Sequence, residues 1–140
     1  MIKEILYQHE AQVYQLICEL EQDTFDKKSF QKKWAQNIEN EDCLMFGYFN
    51  QDKLVGFISV YIKEYLHHHH KTGEIAELVV DRNYRNQKIG KQLIQFVINI
   101  AKDLQLEELE LCTNIRRKDA HRFYESMGFI MDHYNFVMKL

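Results

Sequence analysis

The stretch that decides the fold is residues 78–91, LVVDRNYRNQKIGK, in which an apolar strand runs into a polar loop and the loop opens an amphipathic helix. The unpaired N–H groups at the start of a helix and the positive end of its dipole favour a bound phosphate or pyrophosphate. Gly90 lets such a ligand approach the backbone without a Cβ in the way. The cations around this loop are Arg82, Arg85, Lys88 and Lys91. The alternative is a solvated basic loop before a helix, and the spacing alone favours neither reading. Because the loop fits neither GxxxxGK[ST] nor GxGxxG, nucleoside triphosphate and dinucleotide folds lose support.

The composition and the net charge limit the classes of protein to which this chain can belong. The chain has 140 residues, 46% of them hydrophobic, which predicts one well-packed domain over residues 1–140 and excludes intrinsic disorder. A net charge of −3 argues against a protein that coats nucleic acid or an anionic membrane. The sequence shows no apolar stretch long enough for a membrane span and no secretory signal, so we expect a cytoplasmic protein.

Three widely spaced cysteines, Cys18, Cys43 and Cys112, suggest neither a disulfide framework nor a zinc site, and Cys112 is expected to be a small buried residue.

The hydrophobic periodicity predicts an α/β fold. Apolar residues at helical spacing indicate a helix around residues 13–20 and a second around residues 30–34, capped by Asp26 or Ser29. Runs rich in β-branched and aromatic residues predict strands at 44–49, 54–62 and 74–80, with a hairpin turn at 50–53. A helix from residue 90 to about 104, a strand at 109–112, a helix at 119–127 ending at Gly128, and closing strands over 129–140 follow. This order predicts a mixed sheet with helices on both faces.

Two motifs in this order resemble a known family. The loop resembles motif A of the GNAT superfamily of N-acetyltransferases, Q/R-x-x-G-x-G/A, with Lys88 standing where the first glycine usually is. Residues 120–129, AHRFYESMGF, look like the A-x-x-F-Y-x-x-x-G-F signature of the same superfamily. Nearly the whole chain is similar to one branch, the aminoalkylphosphonate N-acetyltransferases. The segments that carry this likeness are 17–20, 25–26, 66–68, 73–75, 77–80, 113–114, 119–124 and His133.

The resemblance implies the GNAT acyl-CoA N-acyltransferase fold and an enzyme that uses acetyl-CoA. The implied reaction moves the acetyl group to the primary amine of a small molecule, an aminoalkylphosphonate in this branch, by direct attack in a ternary complex. In the superfamily, the strand pairs with the pantetheine arm through its backbone and the loop amides bind the pyrophosphate. The implied acetyl-CoA contacts are Leu78, Val79, Val80, Arg85, Asn86, Gln87, Lys88, Ile89, Gly90, Lys91, Asn114 and Tyr124.

This chemistry requires a neutral amine, a polarised thioester carbonyl and a proton for the departing thiolate. Glu77 and Glu74 are the candidate bases, acting through a water. Because they lie three residues apart on one strand, a regular pleat points them to opposite faces unless a bulge intervenes. We favour Glu77, which is nearer the pantetheine-binding segment, against the plain alternative of solvent-facing carboxylates. Tyr124 matches the family's general acid, since a phenol stays protonated at neutral pH. Backbone N–H groups near Val79 and Val80 are expected to polarise the thioester.

A phosphonate acceptor calls for cationic or polar contacts. The candidates are His67, His68, Arg117 and His133. Arginine suits such oxygens through its paired donors. The histidines contact either the phosphonate or a divalent metal bridging to it, or they form a polar loop. Neighbouring residues on a strand point in opposite directions, so the run of four histidines at 67–70 does not by itself assign a metal site.

Three alternatives stay open from the sequence. The first is a GNAT enzyme for another amine, such as a polyamine, an aminoglycoside or an amino sugar. The basic and histidine-rich segments weigh mildly against polyamines and aminoglycosides, because these cationic acceptors need acidic linings. The second is a CoA-binding module without turnover. The third, a nucleic-acid binder, is disfavoured by the net charge. The expected partners are acetyl-CoA and a small amine, with neither nucleic acid nor membrane, and the resemblance suggests a homodimer.

Overall fold

The computed structural model describes residues 1–140 and divides them into two compact units, Met1–Glu110 and Leu111–Leu140. The single domain expected over residues 1–140 stays a prediction. The elements are β1 Ile2–Glu4, α1 Glu10–Glu21, α2 Lys27–Glu39, β2 Cys43–Asn50, β3 Lys53–Lys63, β4 Thr72–Val80, α3 Ile89–Asp103, β5 Leu109–Leu111 and α4 Lys118–Ser126. None of the helices combines the length and the hydropathy that a bilayer crossing requires.

The sheet has five strands in the order β1-β2-β3-β4-β5. Strands β1 to β4 pair with antiparallel neighbours, and the β2–β3 hairpin turns at residues 51 and 52 as the sequence predicts. The three-residue β1 was not predicted, because its charged Lys3 and Glu4 give no strand pattern. It forms because β2 offers hydrogen-bond partners along its outer edge.

The two sheet faces carry different helices. Helices α1 and α2 cover one face, where Val13, Leu16 and Trp34 pack with sheet residues such as Phe57 and Val79. Asp26, one of the two predicted caps, accepts a hydrogen bond from the backbone N–H of Ser29 and so starts α2. Helices on both faces of a mixed sheet confirm the predicted fold class.

Helix α3 lies on the other face and approaches β3 closely at Gly56. A Cβ at Gly56 would stand 2.8 Å from Ile89 Cγ2 and 3.0 Å from Leu93 Cδ1. Both α3 residues are buried, so the missing side chain lets the first turn of α3 rest on the sheet. This contact fixes where the loop between β4 and α3 emerges.

The second unit contains α4, which ends before Gly128 as the sequence predicts. Gly128 has φ +99°, a left-handed conformation that follows the C-terminal end of many helices. The predicted closing strands are wrong for this chain, because residues 129–140 have no regular secondary structure. A strand forms only where a neighbour pairs with its backbone groups, and within this unit no second strand is present to do so. Cys112 is also not the small buried residue expected, since it is exposed.

Candidate functional site

The loop between β4 and α3 is held in place by two carboxylates. Asp81 accepts a hydrogen bond of 2.8 Å from the N–H of Asn83 and forms an ion pair of 3.4 Å with Lys53. Glu19 on α1 accepts the N–H of Arg82 at 3.0 Å and lies 3.8 Å from the Arg85 guanidinium. The loop therefore leaves β4 along a fixed path.

Two left-handed residues then turn the loop into α3. Asn86 has φ +63° and Lys88 has φ +61°, and α3 begins at Ile89. Gln92 donates its N–H to the Lys88 carbonyl at 3.0 Å, which closes the first turn. The N–H groups that precede it have no intrahelical acceptor, and a left-handed residue next to right-handed helical ones, as Lys88 is beside Ile89, directs successive N–H groups towards one side. This is an anion-binding shape at the positive end of a helix.

Lys88 takes the conformation that the family's glycine would supply at its position. A left-handed residue other than glycine carries a steric cost of roughly 1–2 kcal/mol. Lys88, which stands where motif A has a glycine, is therefore left-handed and adds a cation at the start of α3.

The two glutamates of β4 lie on the same face of the sheet. Ser59 pairs with Glu77, whereas the next β3 residue, Val60, pairs with Ile75, so one extra residue on β4 forms a bulge. Glu74 pairs with Tyr61, which lies two residues beyond Ser59 on β3. Residues two apart share a face, so the bulge cancels the opposite orientation that a regular pleat would give. Both carboxylates face the α1 and α2 side.

Ser59 holds Glu77 from two directions. Its hydroxyl donates to Glu77 Oε1 in a short contact, and its oxygen accepts the Glu77 backbone N–H at 3.1 Å. Ser59 is only 1% exposed, so little water competes for this hydroxyl. The rotamer of Glu77 is thereby fixed.

The environment of Glu77 is completed by Tyr61 and Cys43. Burial raises the pKa of the Tyr61 phenol far above its ordinary range, and the neighbouring Cys43 and Glu77 raise it further. Burial also raises the pKa of the Cys43 thiol, which the Glu77 carboxylate reinforces and the Tyr61 hydrogen bond opposes. Both groups are therefore neutral at physiological pH.

Glu74 has a different partner. Its Oε2 forms an ion pair of 2.9 Å with Lys63 Nζ, and this hydrogen bond raises the pKa of Lys63. The two carboxylates on one face thus differ in chemistry. Glu74 is neutralised by an ammonium, whereas the hydrogen bonds that the Glu77 side chain makes come from a neutral hydroxyl.

The histidine run forms the turn between β3 and β4. His68 Nδ1 makes a short contact with Glu107 Oε2, and its Nε2 lies 3.4 Å from Glu108 Oε1. The Glu107 carboxylate also accepts the N–H groups of His69 and His70 at 2.9 and 3.2 Å. The His68 hydrogen bond lowers the pKa of Glu107. The His67 ring lies beside the His68 ring in a tilted arrangement, with ring centroids 4.4 Å apart.

No group of three or more histidine, cysteine, aspartate or glutamate side chains in the chain has a geometry that would hold a metal ion. Both ring nitrogens of His68 are already directed at carboxylates of the neighbouring loop. The histidine run therefore does not supply the ligand set that a divalent metal requires.

In the second unit, Tyr124 lies on α4 between two phenylalanine rings. Its ring centroid is 5.4 Å from that of Phe123 and 6.0 Å from that of Phe129. Burial raises the pKa of Tyr124, and the charge of Arg117 offsets part of this rise. Arg117 is exposed and directly precedes α4 at its N-cap position.

The remaining predicted residues of this unit surround the start of α4. The side-chain oxygen of Asn114 accepts the N–H of Arg116 at 2.9 Å, and its carbonyl lies 2.9 Å from His121 Nε2. His133 Nδ1 lies 2.6 Å from Asp132 Oδ1. Asn114 thus shapes the turn before α4, and His133 carries a carboxylate neighbour.

Sequence reasoning missed Ser59, Tyr61 and Cys43. A signal for Ser59 was present, since it is a lone hydroxyl in the otherwise apolar run between Ile58 and Val60. A polar residue at a buried strand position needs a partner, and here the partner is a catalytic candidate. The roles of Tyr61 and Cys43 depend on strand register, which no local pattern encodes.

Comparisons with known proteins agree with this geometry. A model of the acetyltransferase (GNAT) family matches residues 10–129. The aminoalkylphosphonate N-acetyltransferase of Salmonella typhimurium is 39% identical over 128 residues, which are 91% of this chain and 83% of that protein. N-alpha-acetyltransferase 30 of Dictyostelium discoideum is 29% identical over 134 residues, 91% of this chain and 68% of that protein.

Solved structures share the fold. A transcriptional regulator from Bacillus halodurans C-125 superimposes with a TM-score of 0.92 at 23% identity, covering 100% of this chain and 99% of its own. An acetyltransferase from Trypanosoma brucei superimposes with a TM-score of 0.85 at 19% identity and the same coverage. At these identities the likeness is one of fold alone.

Proposed function

Because the chain belongs to the acetyltransferase (GNAT) family and is an acetyl-CoA-dependent N-acetyltransferase, we propose that its acceptor is the primary amine of a small aminoalkylphosphonate, attacked directly in a ternary complex. The observation that carries the acceptor class is the 39% identity to the Salmonella enzyme across 91% of this chain. The pairing of Glu77 with Ser59 across β4 and β3, which directs the Ser59 hydroxyl at the Glu77 carboxylate, supports the chemistry.

The loop between β4 and α3 has the features that a CoA pyrophosphate requires. The amides after Lys88 belong to the first turn of α3, where they have no intrahelical acceptor, and the backbone from Asn86 to Gly90 turns through two left-handed residues. Arg85, Lys88 and Lys91 supply positive charge around it. These residues would hold the diphosphate, and bound acetyl-CoA supplies the activated acetyl group.

The pantetheine contacts are proposed for the end of β4. On one side, Val79 and Val80 pair with β3. On the other side, hydrogen bonds join Lys71 and Gly73 to the chain just before β5, so the three-residue β5 lies towards the start of β4. Leu78, Val79 and Val80 thus extend beyond the reach of β5, and their backbone groups are the proposed partners of the pantetheine amides and the thioester carbonyl.

Glu77 is the proposed base. The Glu74 carboxylate is occupied by the Lys63 ammonium at 2.9 Å, which argues against Glu74 as the group that receives the proton of the acceptor. The Ser59 hydroxyl orients Glu77 without removing its charge. Glu77 would take the ammonium proton of the acceptor through a water, so that the neutral amine attacks the acetyl carbon.

Tyr124 is the proposed general acid. A raised pKa keeps its phenol protonated at neutral pH, so the proton is available for the departing thiolate of CoA. The proposed phosphonate contacts are Arg117, His133 and His67. For His68, the contacts with the Glu107 and Glu108 carboxylates favour a role in holding its own loop.

The acceptor is tested by thiol release from acetyl-CoA with a panel of amines: aminoalkylphosphonates, polyamines, amino sugars, aminoglycosides and a peptide with a free α-amine. Each is assayed with a divalent metal and with a chelator. The proposal expects the highest kcat/KM with an aminoalkylphosphonate. Turnover confined to cationic acceptors or to the peptide would refute the acceptor class and leave the acetyltransferase assignment intact.

A further inference from the structure

A cross-strand ion pair lies on the same sheet face as the proposed base. Lys63 Nζ on β3 is 2.9 Å from Glu74 Oε2 on β4, and the two side chains are 34% and 30% exposed. The β3 partners of Glu74 and Glu77 lie two residues apart, so Glu74 stands roughly 7 Å along the sheet from Glu77. A small acceptor bound at Glu77 therefore lies close to both charges of the ion pair.

The charge of this part of the sheet face comes from three side chains, Glu77, Glu74 and Lys63. Strand register puts no other charged residue on this side between Ser59 and Lys63 or between Thr72 and Glu77. Because Lys63 neutralises Glu74, one negative charge remains, and it is that of the proposed base. Over roughly 7 Å these charges act on a bound ligand, since the Debye length in physiological salt is about 8 Å.

We propose that Lys63 determines which amines the enzyme accepts, by favouring acceptors with an anionic group over acceptors with a second ammonium. The inference rests on the proposed function and deepens it, since it concerns how an anionic acceptor is tolerated beside two carboxylates. An aminoalkylphosphonate places its amine at Glu77 and its phosphonate oxygens near the Lys63 ammonium, where the charges attract. A diamine in the same place brings a second ammonium to Lys63, where the charges repel.

Glu74 holds the Lys63 ammonium in place and leaves it able to bind a ligand. An ammonium has three N–H donors, of which the Glu74 carboxylate accepts one. This hydrogen bond is the main cause that raises the pKa of Lys63, and a hydrogen bond with the Tyr65 side chain raises it further, against the opposing effect of burial. Lys63 therefore stays charged at the pH of the reaction, with a donor left for a phosphonate oxygen.

The test is the ratio of kcat/KM for an aminoalkylphosphonate to kcat/KM for a diamine of the same carbon chain, measured by thiol release from acetyl-CoA. Lys63→Met leaves two carboxylates without a cation, so the ratio should fall about 10-fold or more. Glu74→Gln leaves the ammonium without its carboxylate, so the ratio should rise by about the same factor. Lys63→Arg keeps the charge and should keep the ratio close to the wild-type value.

Shifts of opposite sign distinguish a role in selectivity from a purely structural one. Lys63→Met and Glu74→Gln both break the same ion pair, so a structural role predicts losses of the same sign for every acceptor and an unchanged ratio. Lys102→Met removes an exposed lysine from α3, on the other sheet face, and should leave the ratio unchanged. If Lys63→Met does not fold, Lys63→Gln makes the same change of charge with a polar side chain.

The outcomes separate this inference from the proposed acceptor class. A preference for the phosphonate that falls without Lys63 and rises without the Glu74 charge supports the inference. A wild-type enzyme that prefers the diamine refutes the acceptor class, and the role of Lys63 with it. A wild-type preference for the phosphonate that survives the loss of Lys63, or that both variants shift in the same direction, refutes the role of Lys63 and leaves the acceptor class intact.

Discussion

Replacing Ser59 by alanine should impair turnover more than it impairs binding of acetyl-CoA. The hydroxyl of Ser59 makes two contacts with Glu77, one to the carboxylate and one of 3.1 Å with the backbone N–H. A hydrogen bond to a charged group contributes about 1.5–3 kcal/mol. If this energy serves to orient Glu77 for proton transfer, its loss corresponds to a fall in kcat of about 10- to 150-fold.

The same substitution leaves the Glu77 N–H and one carboxylate oxygen without this partner. Because Ser59 is 1% exposed, we expect the free energy of unfolding to fall by about 1–3 kcal/mol. Urea unfolding measures this loss, and thiol release at a temperature where both proteins are folded measures kcat.

A matched control lies on the neighbouring strand. Thr72 is also 1% exposed, and its hydroxyl has no hydrogen-bond partner. Thr72→Val removes a buried hydroxyl of the same kind at nearly constant volume, so kcat should be unchanged and stability equal or higher. The reasoning fails if Ser59→Ala keeps the wild-type kcat, or if Thr72→Val lowers kcat by the same factor.

Three further outcomes are expected. Lys88→Gly should raise the free energy of unfolding by about 0.5–1 kcal/mol, since glycine adopts φ +61° without the steric cost. A variant that urea unfolding shows to be less stable than the wild type would contradict the left-handed conformation of Lys88. Tyr124→Phe should lower kcat by roughly 100-fold or more, with little change in acetyl-CoA affinity by calorimetry, and an unchanged kcat removes Tyr124 from the acid role. Because the raised pKa of Tyr61 keeps its phenol neutral in the folded chain, its contribution to stability is full below about pH 10 and is lost as pH rises further. Tyr61→Phe should flatten this alkaline loss, and an identical pH dependence of urea unfolding contradicts it.

Elements with strong local patterns were predictable from the sequence. Helix α3 repeats apolar residues such as Leu93 and Val97 at helical spacing, and all four predicted helices appear in the structure. The hairpin between β2 and β3 is encoded by the polar residues 50–53. In these elements local propensity and tertiary packing agree, which is the condition for a sequence to be read directly.

The rest of the fold and of the candidate site depends on contacts between residues that are far apart in the sequence, and local patterns do not specify these contacts. The bulge in β4 adds one residue between Glu74 and Glu77, and only the pairing with β3 decides that both carboxylates share a face. The ion pair that distinguishes Glu74 from Glu77 comes from Lys63 on another strand. Residues 129–140 have a strand pattern, but the hydrogen-bond partner that a strand needs is not part of the pattern.

The most direct measurement is the pH dependence of kcat/KM for Glu77→Gln beside the wild-type enzyme, from about pH 6.5 to about pH 9.5, with an aminoalkylphosphonate acceptor. A primary amine loses its proton near pH 10, so the need for a base disappears as the pH rises. The account predicts a deficit of about 100-fold or more at neutral pH that shrinks steadily towards the alkaline end. A deficit that is the same at every pH, or no deficit at neutral pH, would contradict the assignment of Glu77 as the base.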